Sequence, residues 1–241
     1  MTAATTEEPL LALDHVSRVY GEQVKIYALR DVTLGIDRSD HLAIVGPSGS
    51  GKSTMLGLLG VLDLPTEGEV SVGGVEVSNL DDAQRSKLRG DAIGFVFQQF
   101  HLIPHLTALG NVATALLYRG MSKSDRQERA MAALERVGLA PRAEHRPVQM
   151  SGGEQQRVAI ARAIVTEPLL VLADEPTGAL DSRNAAMVME VFAGLESHDR
   201  AVVLVTHDAG IAATANRVVQ MRDGEIVADT RQKPSPFKGA A

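Results

Sequence analysis

The chain has 241 residues, a formal net charge of −6 at pH 7 and 44% hydrophobic residues, which suits one large domain or a core with a subdomain. The acidic balance does not favour nucleic acid as a partner. Cysteine is absent, which excludes disulfides and thiolate metal sites, and no apolar stretch approaches the roughly 20 residues of a membrane-spanning helix.

Polar sequence at the amino-terminal end precedes a group of short strands. Residues 1–9 lack hydrophobic periodicity, and we predict a flexible tail there. Apolar and polar residues then alternate in four segments, as in half-buried strands. These segments are 11–16, 32–36, 69–72 and 75–77. We expect them to form an antiparallel sheet.

A glycine-rich loop lies between an apolar strand and a predicted helix. The loop consists of Gly46, Pro47, Ser48, Gly49, Ser50, Gly51, Lys52, Ser53 and Thr54. Its glycines let successive backbone N–H groups curve around phosphate oxygens, and the helix points its positive end at the same anion. In this spacing Lys52 reaches the β- and γ-phosphates, and Ser53 places its hydroxyl on Mg²⁺. The loop predicts a nucleoside triphosphate site.

The middle of the chain, about residues 107–164, is helical by pattern. Ser122 is the predicted N-cap of a helix over residues 123–137, which Gly138 ends. We interpret residues from about 99 to 160 as a helical subdomain inserted into the domain.

Three short apolar runs, 169–173, 201–205 and 217–221, are typical of strands buried on both faces. Because they alternate with helical segments, we expect a mostly parallel α/β sheet as the core. Residues 10–230 form one predicted domain. Segment 231–241 is polar and contains proline, and we predict a second flexible tail there.

Two adjacent carboxylates, Asp174 and Glu175, follow the first of these runs. Ligands of open α/β sheets bind beyond the carboxyl ends of the strands. Beside a phosphate loop, one carboxylate can hold Mg²⁺ through water while its neighbour polarises the attacking water. We therefore assign Asp174 to the metal and Glu175 to the general base.

A second helix start that is suited to anions lies upstream of these carboxylates. It is opened by Ser151, Gly152, Gly153 and Glu154. This segment resembles the signature loop of ATP-binding cassette (ABC) ATPases, and residues 46–54 resemble their Walker A loop. The strand that ends in Asp174 and Glu175 resembles Walker B. The resemblance spans residues 10–228 and implies a P-loop NTPase core of the ABC type that binds ATP and Mg²⁺.

The resemblance also assigns four further residues to the nucleotide. These are the Q-loop glutamine Gln98, which contacts the metal, the switch histidine His207, which contacts the γ-phosphate, the D-loop Asp181, and the adenine-stacking Tyr20. Gln99 and Tyr27 are the alternatives to Gln98 and Tyr20. The expected catalytic set is Glu175, His207, Lys52 and Gln98.

The resemblance further implies a dimer. In the ABC family two cassettes pack head to tail, so that Ser151 and Gly153 of one copy touch the γ-phosphate held by Lys52 of the other. This chain carries one motif of each kind, which predicts a two-fold homodimer around two ATP molecules.

Within the family, the chain looks most like the macrolide-exporter and lipoprotein-releasing (MacB/LolD-like) group. We therefore expect it to bind a separate permease at the cytoplasmic face of the cell membrane and to power an exporter. Phe100 to Leu106, next to the Q-loop, form the predicted groove for a permease helix. We expect contacts across residues 98–118.

Three rival functions remain. One is an FtsE-like cell-division ATPase that regulates a non-transporting permease, which Ala179 weakly disfavours because that relative usually has Asn there. The second is an ABC ATPase without a membrane partner. The third is a small-molecule or nucleotide kinase, which has no use for the segment from Ser151 to Gln155.

Overall fold

Helix α1 (Lys52–Leu59) lies between two β-sheets in the computed structural model of the chain. The structure describes residues 8–21, 23–195 and 200–237. Of the predicted tails, residues 1–7 and 238–241 lie outside these ranges. Side chains of α1 and of both sheets share one hydrophobic cluster, in which Met55, Leu58 and Leu59 are completely buried.

The larger sheet has six strands. Their bounds are β3 His41–Val45, β6 Ile93–Phe97, β7 Leu170–Asp174, β8 Ala201–Val205, β9 Arg217–Arg222 and β10 Glu225–Arg231. The spatial order is β10-β9-β3-β8-β7-β6, and only β10 pairs antiparallel. Alternate residues of β7 and β8 enter hydrophobic clusters on opposite faces. The predicted parallel core with strands buried on both faces is confirmed.

The smaller sheet is antiparallel and has the order β2-β1-β4-β5. Its strands are β1 Leu11–Tyr20, β2 Ile26–Ile36, β4 Glu67–Val72 and β5 Val75–Glu76. The first two strands extend beyond their predicted bounds. His15 and Asp31 face each other in left-handed conformations, with φ of 49° and 46°, and their side chains lie 2.7 Å apart. These irregularities shift the register of the pair and interrupt the alternation that marks a strand in sequence.

Helices cover the second face of the large sheet. They are α3 Ala108–Ala113, α4 Lys123–Arg136, α5 Gly152–Ile164, α6 Ser182–Ala193 and the short α7 Ala209–Ala212. Helix α2 Asp82–Ala92 packs instead into the cluster that α1 shares. The predicted N-cap is confirmed, since the Ser122 hydroxyl accepts from the Asp125 N–H at 3.1 Å. The helix ends at Arg136, because Gly138 turns the chain with φ of 70°. Within the described ranges, no helix has the length and apolar character to cross a bilayer.

The segment after residue 230 departs from the predicted tail. Arg231 still belongs to β10 and pairs with Asp37 and Asp40 at 3.0 Å each. The Gln232 side chain donates to two backbone carbonyls near α7, and Phe237 packs against the helical cluster. The described part of this segment, 231–237, is therefore bound to the body of the domain by ionic and apolar contacts.

Candidate functional site

The carboxyl ends of four neighbouring strands meet at one edge of the large sheet. In the register of the sheet Val205 lies opposite both Ile44 and Asp174, and Asp174 lies opposite Phe97. The residues that follow β3, β8, β7 and β6 are therefore neighbours in space. Segments that are more than 30 residues apart in sequence converge in this way, at the edge where open α/β sheets bind ligands.

A cleft of about 750 Å³ opens at this edge. Its lining comes from β2, the glycine-rich loop and the ends of β6, β7 and β8: Ile26, Tyr27, Ala28, Gly46, Pro47, Ser48, Gly49, Gly51, Lys52, Ser53, Thr54, Gln98, Asp174, Glu175, Val205 and His207. The structure thus brings together Lys52, Ser53, Gln98, Asp174, Glu175 and His207, as the sequence predicts. Gln98, but not the alternative Gln99, is among the lining residues.

The glycine-rich loop is fitted closely to its neighbours. Gly51 adopts φ of 100°, and a Cβ there would lie 2.4 Å from the carbonyl oxygen of Ala28. The Lys52 ammonium donates to the carbonyls of Gly46 and Pro47 at 2.8 Å each, which holds its charge over the loop. Since α1 begins at Lys52, the cation and the positive helix end face the same space, an arrangement suited to phosphate.

Ser50 and Tyr20, both predicted to bind the nucleotide, are not among the described lining of the cleft. Ser50 is only 1% exposed, and its hydroxyl is buried below the loop. Tyr20 lies outside the lining: its hydroxyl donates to Asp63 at 2.9 Å, and the Arg18 guanidinium lies 4.6 Å from its ring centre. Tyr27 does line the cleft. Of the two candidate aromatic residues, Tyr27 is the one that shares this lining with the glycine-rich loop.

Glu175 has an unusual backbone conformation. Its φ is 45°, a region that non-glycine residues rarely occupy and that costs about 1–3 kcal/mol. Its N–H donates to the Val205 carbonyl at 2.9 Å. Its carboxylate lies 2.7 Å from Nδ1 of the largely exposed His207. The carboxylate and the imidazole thus form a hydrogen-bonded pair at the mouth of the cleft.

Asp174 lies deeper at the same edge. Its burial, together with the charge of Glu175, raises the pKa of Asp174, and the Lys52 ammonium only partly opposes this effect. A cation at this point would relieve the crowding of the two carboxylates. The Asp174 carboxylate, the Ser53 hydroxyl and the Gln98 amide all line the cleft, and oxygen donors of these kinds suit Mg²⁺.

Gln98 and the loop after Glu175 are in close contact. A Cβ on Gly178 would lie 2.8 Å from Nε2 of Gln98. Any side chain at residue 178 would therefore displace Gln98 or the loop. Only a glycine leaves room for the amide beside the two carboxylates.

The start of α5 is well formed but lies apart from the cleft. The Ser151 hydroxyl accepts from the Glu154 N–H at 3.3 Å, and the Glu154 carboxylate accepts from the Ser151 N–H at 2.8 Å. The hydrogen bond from the Ser151 N–H, together with the positive charge of Arg142 at 3.2 Å, lowers the pKa of Glu154. None of the residues 151–154 is among the described lining of the cleft.

Asp181 and Gly153 meet beside this helix start. Asp181 is the N-cap of α6 and accepts from Asn184 at both carboxylate oxygens, at 2.9 and 2.7 Å. These bonds lower the pKa of Asp181. A Cβ on Gly153 would lie 2.3 Å from Oδ1 of Asn184. Asp181 therefore holds Asn184 against Gly153 and lies outside the cleft lining.

Some residues of the site are not apparent from the sequence. Ile26 and Ala28 line the cleft from β2, and Ile26 is 63% exposed there. An exposed apolar side chain on a strand is only a weak indication in the sequence of a binding residue. Gln156 donates to the Pro176 carbonyl from inside the protein. Nothing in the sequence indicates this contact, because the partner is a backbone atom 20 residues away.

Comparison with known proteins identifies a matching family and similar sequences. The ABC transporter family model matches residues 29–178. The chain is 49% identical over 224 residues to a protein of Methanocaldococcus jannaschii named uncharacterized ABC transporter ATP-binding protein MJ0796, covering 90% of this chain and 95% of that one. It is 46% identical over 237 residues to the macrolide export ATP-binding/permease protein MacB of Hahella chejuensis. That match covers 98% of this chain but only 36% of the relative.

Solved structures are similar over nearly the whole chain. A dimeric post-hydrolysis state of the cassette MJ0796, bound to ADP and Pi, has a TM-score of 0.85 at 45% identity and covers 93% of this chain and 100% of that one. A second dimeric structure of MJ0796, described as a bacterial ABC transporter cassette, also has a TM-score of 0.85, at 44% identity and with the same coverage.

The raised pKa of Asp174 leads to a prediction about stability. Asp174→Asn removes a buried charge beside Glu175 with little change in shape, so it should raise Tm at pH 7 by about 1–4 °C in the absence of nucleotide. Folded Asp174 binds its proton more tightly than the unfolded residue does. The wild type therefore gains stability relative to the variant as the pH falls through the raised pKa, and the difference in Tm should vanish in acid. Thermal melts at several pH values measure this, and a variant that is less stable at pH 7 would contradict it.

Proposed function

The chain belongs to the ABC transporter family, and we propose that it is the ATP-binding and ATP-hydrolysing subunit of a transport system that works as a homodimer with a separate permease. The observation that carries this proposal is the convergence of Lys52, Gln98, Glu175 and His207 in one cleft. Phosphoryl transfer to water requires positioning and neutralisation of charge, and these four side chains can supply both.

ATP binds with its phosphates in the glycine-rich loop. Backbone N–H groups of the loop and the N-terminus of α1 face the phosphate oxygens. Lys52 exchanges its bonds to the Gly46 and Pro47 carbonyls for the β- and γ-phosphates. The adenine stacks on Tyr20, with Tyr27 as the alternative. The Arg18 guanidinium, 4.6 Å from the Tyr20 ring centre, supports that ring from one face.

Ser53, Gln98 and Asp174 would hold the metal, and Mg²⁺ bound there would neutralise charge on the phosphates. Asp174 would contribute as the ionised carboxylate, the form that burial disfavours without a cation. Gln98 orients its amide in the space that Gly178 leaves free. The phosphates are thus held between Lys52 on one side and these oxygen donors on the other.

Glu175 is the general base. Its carboxylate takes a proton from water as the water oxygen attacks the γ-phosphorus and the bond to the bridging oxygen of ADP breaks. The hydrogen bond from His207 at 2.7 Å fixes the direction of the carboxylate. The second ring nitrogen of His207 contacts the γ-phosphate. The products are ADP and phosphate.

The signature segment acts on the nucleotide of a second copy. Ser151 and Gly153 are not among the described residues that line the cleft of their own chain, yet the start of α5 has the N–H groups and the positive end that bind phosphate. A relative that is 45% identical is known as a dimeric structure with ADP and Pi. A two-fold dimer would place each α5 start over the cleft of its partner. Loss of the γ-phosphate weakens the closed pair, and the dimer opens.

The permease binds beside the Q-loop. Phe100, Leu102, Ile103 and Leu106 are only partly buried there. Arg162 donates to the carbonyls of Phe100 and His101, at 2.9 and 2.6 Å, and Asn111 bonds to both backbone groups of Ile103. This apolar loop is therefore rigidly mounted, as a docking surface for a helix requires. Tyr118, which belongs to the same segment 98–118, is 99% exposed.

The export direction rests on the relatives. The chain spans about a third of the length of the macrolide export proteins that it matches, so their permease activity is proposed for a separate partner of this chain. Their names favour an exporter over the FtsE-like alternative. We place the protein at the cytoplasmic face of the membrane through that permease.

Glu175→Gln tests the catalytic assignment. The variant should bind ATP but lose about 10²- to 10⁴-fold in turnover, because the amide cannot accept the proton from water. With ATP present it should also persist as a dimer in size-exclusion chromatography. Near wild-type turnover would remove Glu175 as the base. Phosphate release with ATP and water alone also separates a hydrolase from a kinase.

Crosslinking tests the docking surface. Photoreactive side chains placed singly at exposed positions within residues 98–118 should crosslink to the copurifying permease in membranes. Matched probes on the exposed edge strand β5 should not crosslink. Crosslinks that consistently avoid residues 98–118 would contradict the proposed surface.

A further inference from the structure

Gln156 is a completely buried amide on α5 that reaches the loop after Glu175. Its exposed fraction is 0%, and its Nε2 donates to the Pro176 carbonyl at 2.7 Å. Its Oε1 has no hydrogen-bond partner among the described atoms. This hydrogen bond joins α5, the helix that Ser151 caps, to the residue that directly follows Glu175.

Pro176 itself can be held by only one backbone hydrogen-bonding group. Its ring fixes φ and it has no N–H, so its carbonyl is its only backbone hydrogen-bonding group. On the other side of Glu175, the Glu175 N–H is held by the Val205 carbonyl at 2.9 Å. The left-handed Glu175, with φ of 45°, is thus fixed from both directions. The Glu175 carbonyl accepts from the Gly178 N–H at 3.0 Å, so the turn of residues 175–178 is closed by its own hydrogen bond. The bond from Gln156 to Pro176 fixes the orientation of this turn relative to α5.

We propose that Gln156 is a positioning residue for catalysis: by holding the Pro176 carbonyl, it keeps the Glu175 backbone in the conformation that aims the carboxylate at the attacking water. This inference rests on the proposed ATPase function. Gln156 touches neither nucleotide nor metal, and it acts only through the loop of residues 175–178.

The unpartnered Oε1 supports a role beyond packing. A buried acceptor without a partner destabilises the folded chain. A methionine or leucine would fill the same space without an unpartnered Oε1, but it would leave the buried Pro176 carbonyl without its donor. The amide at residue 156 is therefore tied to the loop beside Glu175.

Gln156→Met and Gln156→Leu test this proposal in the full-length chain. Each removes the unpartnered Oε1 and leaves the Pro176 carbonyl unpaired instead, so the two effects offset and Tm should stay within about 5 °C of the wild type. Because Glu175 loses its fixed orientation, kcat should fall by about 10- to 100-fold, while KM for ATP changes by less than about twofold. Gln232→Met is the matched control: Gln232 also donates from Nε2 to backbone carbonyls, but it lies away from the cleft, and its kcat should equal that of the wild type.

A second variant keeps the shape of the side chain. In Gln156→Glu, burial should raise the pKa of the new carboxyl group, whose neutral form can donate to Pro176 whereas its ionised form cannot. The ratio of its kcat to that of the wild type should therefore rise as the pH is lowered from about 8.5 to about 6.

The results separate the two proposals. Unchanged kcat in the folded apolar variants, or a pH-independent ratio for Gln156→Glu, would overturn the positioning role and leave the ATPase assignment intact. Loss of kcat in proportion to the loss of folded protein would show a merely structural role and would also overturn it. An inactive wild type would instead overturn the proposed function itself.

Discussion

The groups that suit a triphosphate lie on two surfaces that do not meet within one chain. Lys52, Glu175 and His207 line the cleft at the end of the large sheet, whereas Ser151 begins α5 outside that lining. The two hydrogen bonds between Ser151 and Glu154 and the contact between Gly153 and Asn184 fix the second surface before any nucleotide binds. Each copy therefore carries two half-sites. A dimer would complete both half-sites. Because the half-sites are separate within one chain, turnover would then depend on the association of two copies around ATP.

Three locally unfavourable features lie at or beside the proposed catalytic edge. Glu175 occupies a left-handed conformation, Asp174 has its pKa raised beside another carboxylate, and Gln156 buries an acceptor without a partner. None of these features favours folding by itself. Parallel strands buried on both faces hold the edge in place, so the unfavourable geometry persists and is available to a bound nucleotide and metal.

How well the sequence predicted the structure depended on the range of the interactions involved. The glycine-rich loop and the Ser122 cap are local patterns, in which spacing alone determines geometry, and both were predicted. The position of Tyr20 depends on Asp63, 43 residues away, and that of Arg231 depends on Asp37 and Asp40 across the fold. Such contacts leave no periodicity in the sequence, so the Tyr20–Asp63 hydrogen bond was not foreseen and residues 231–237 were expected in a tail. The sheet register, which places Gln98 beside Asp174, could be inferred only through the family resemblance.

The shared site can be tested by mixing two inactive variants. Glu175→Gln removes the base and keeps the α5 start, while Ser151→Asp keeps a good N-cap and places a negative charge where the γ-phosphate of the partner copy would lie. If the sites form between copies, an equal mixture should recover up to about a quarter of the wild-type ATPase rate, because half of randomly paired dimers each contain one intact site. A mixture whose rate stays at the average of the two separate variants would contradict the shared site.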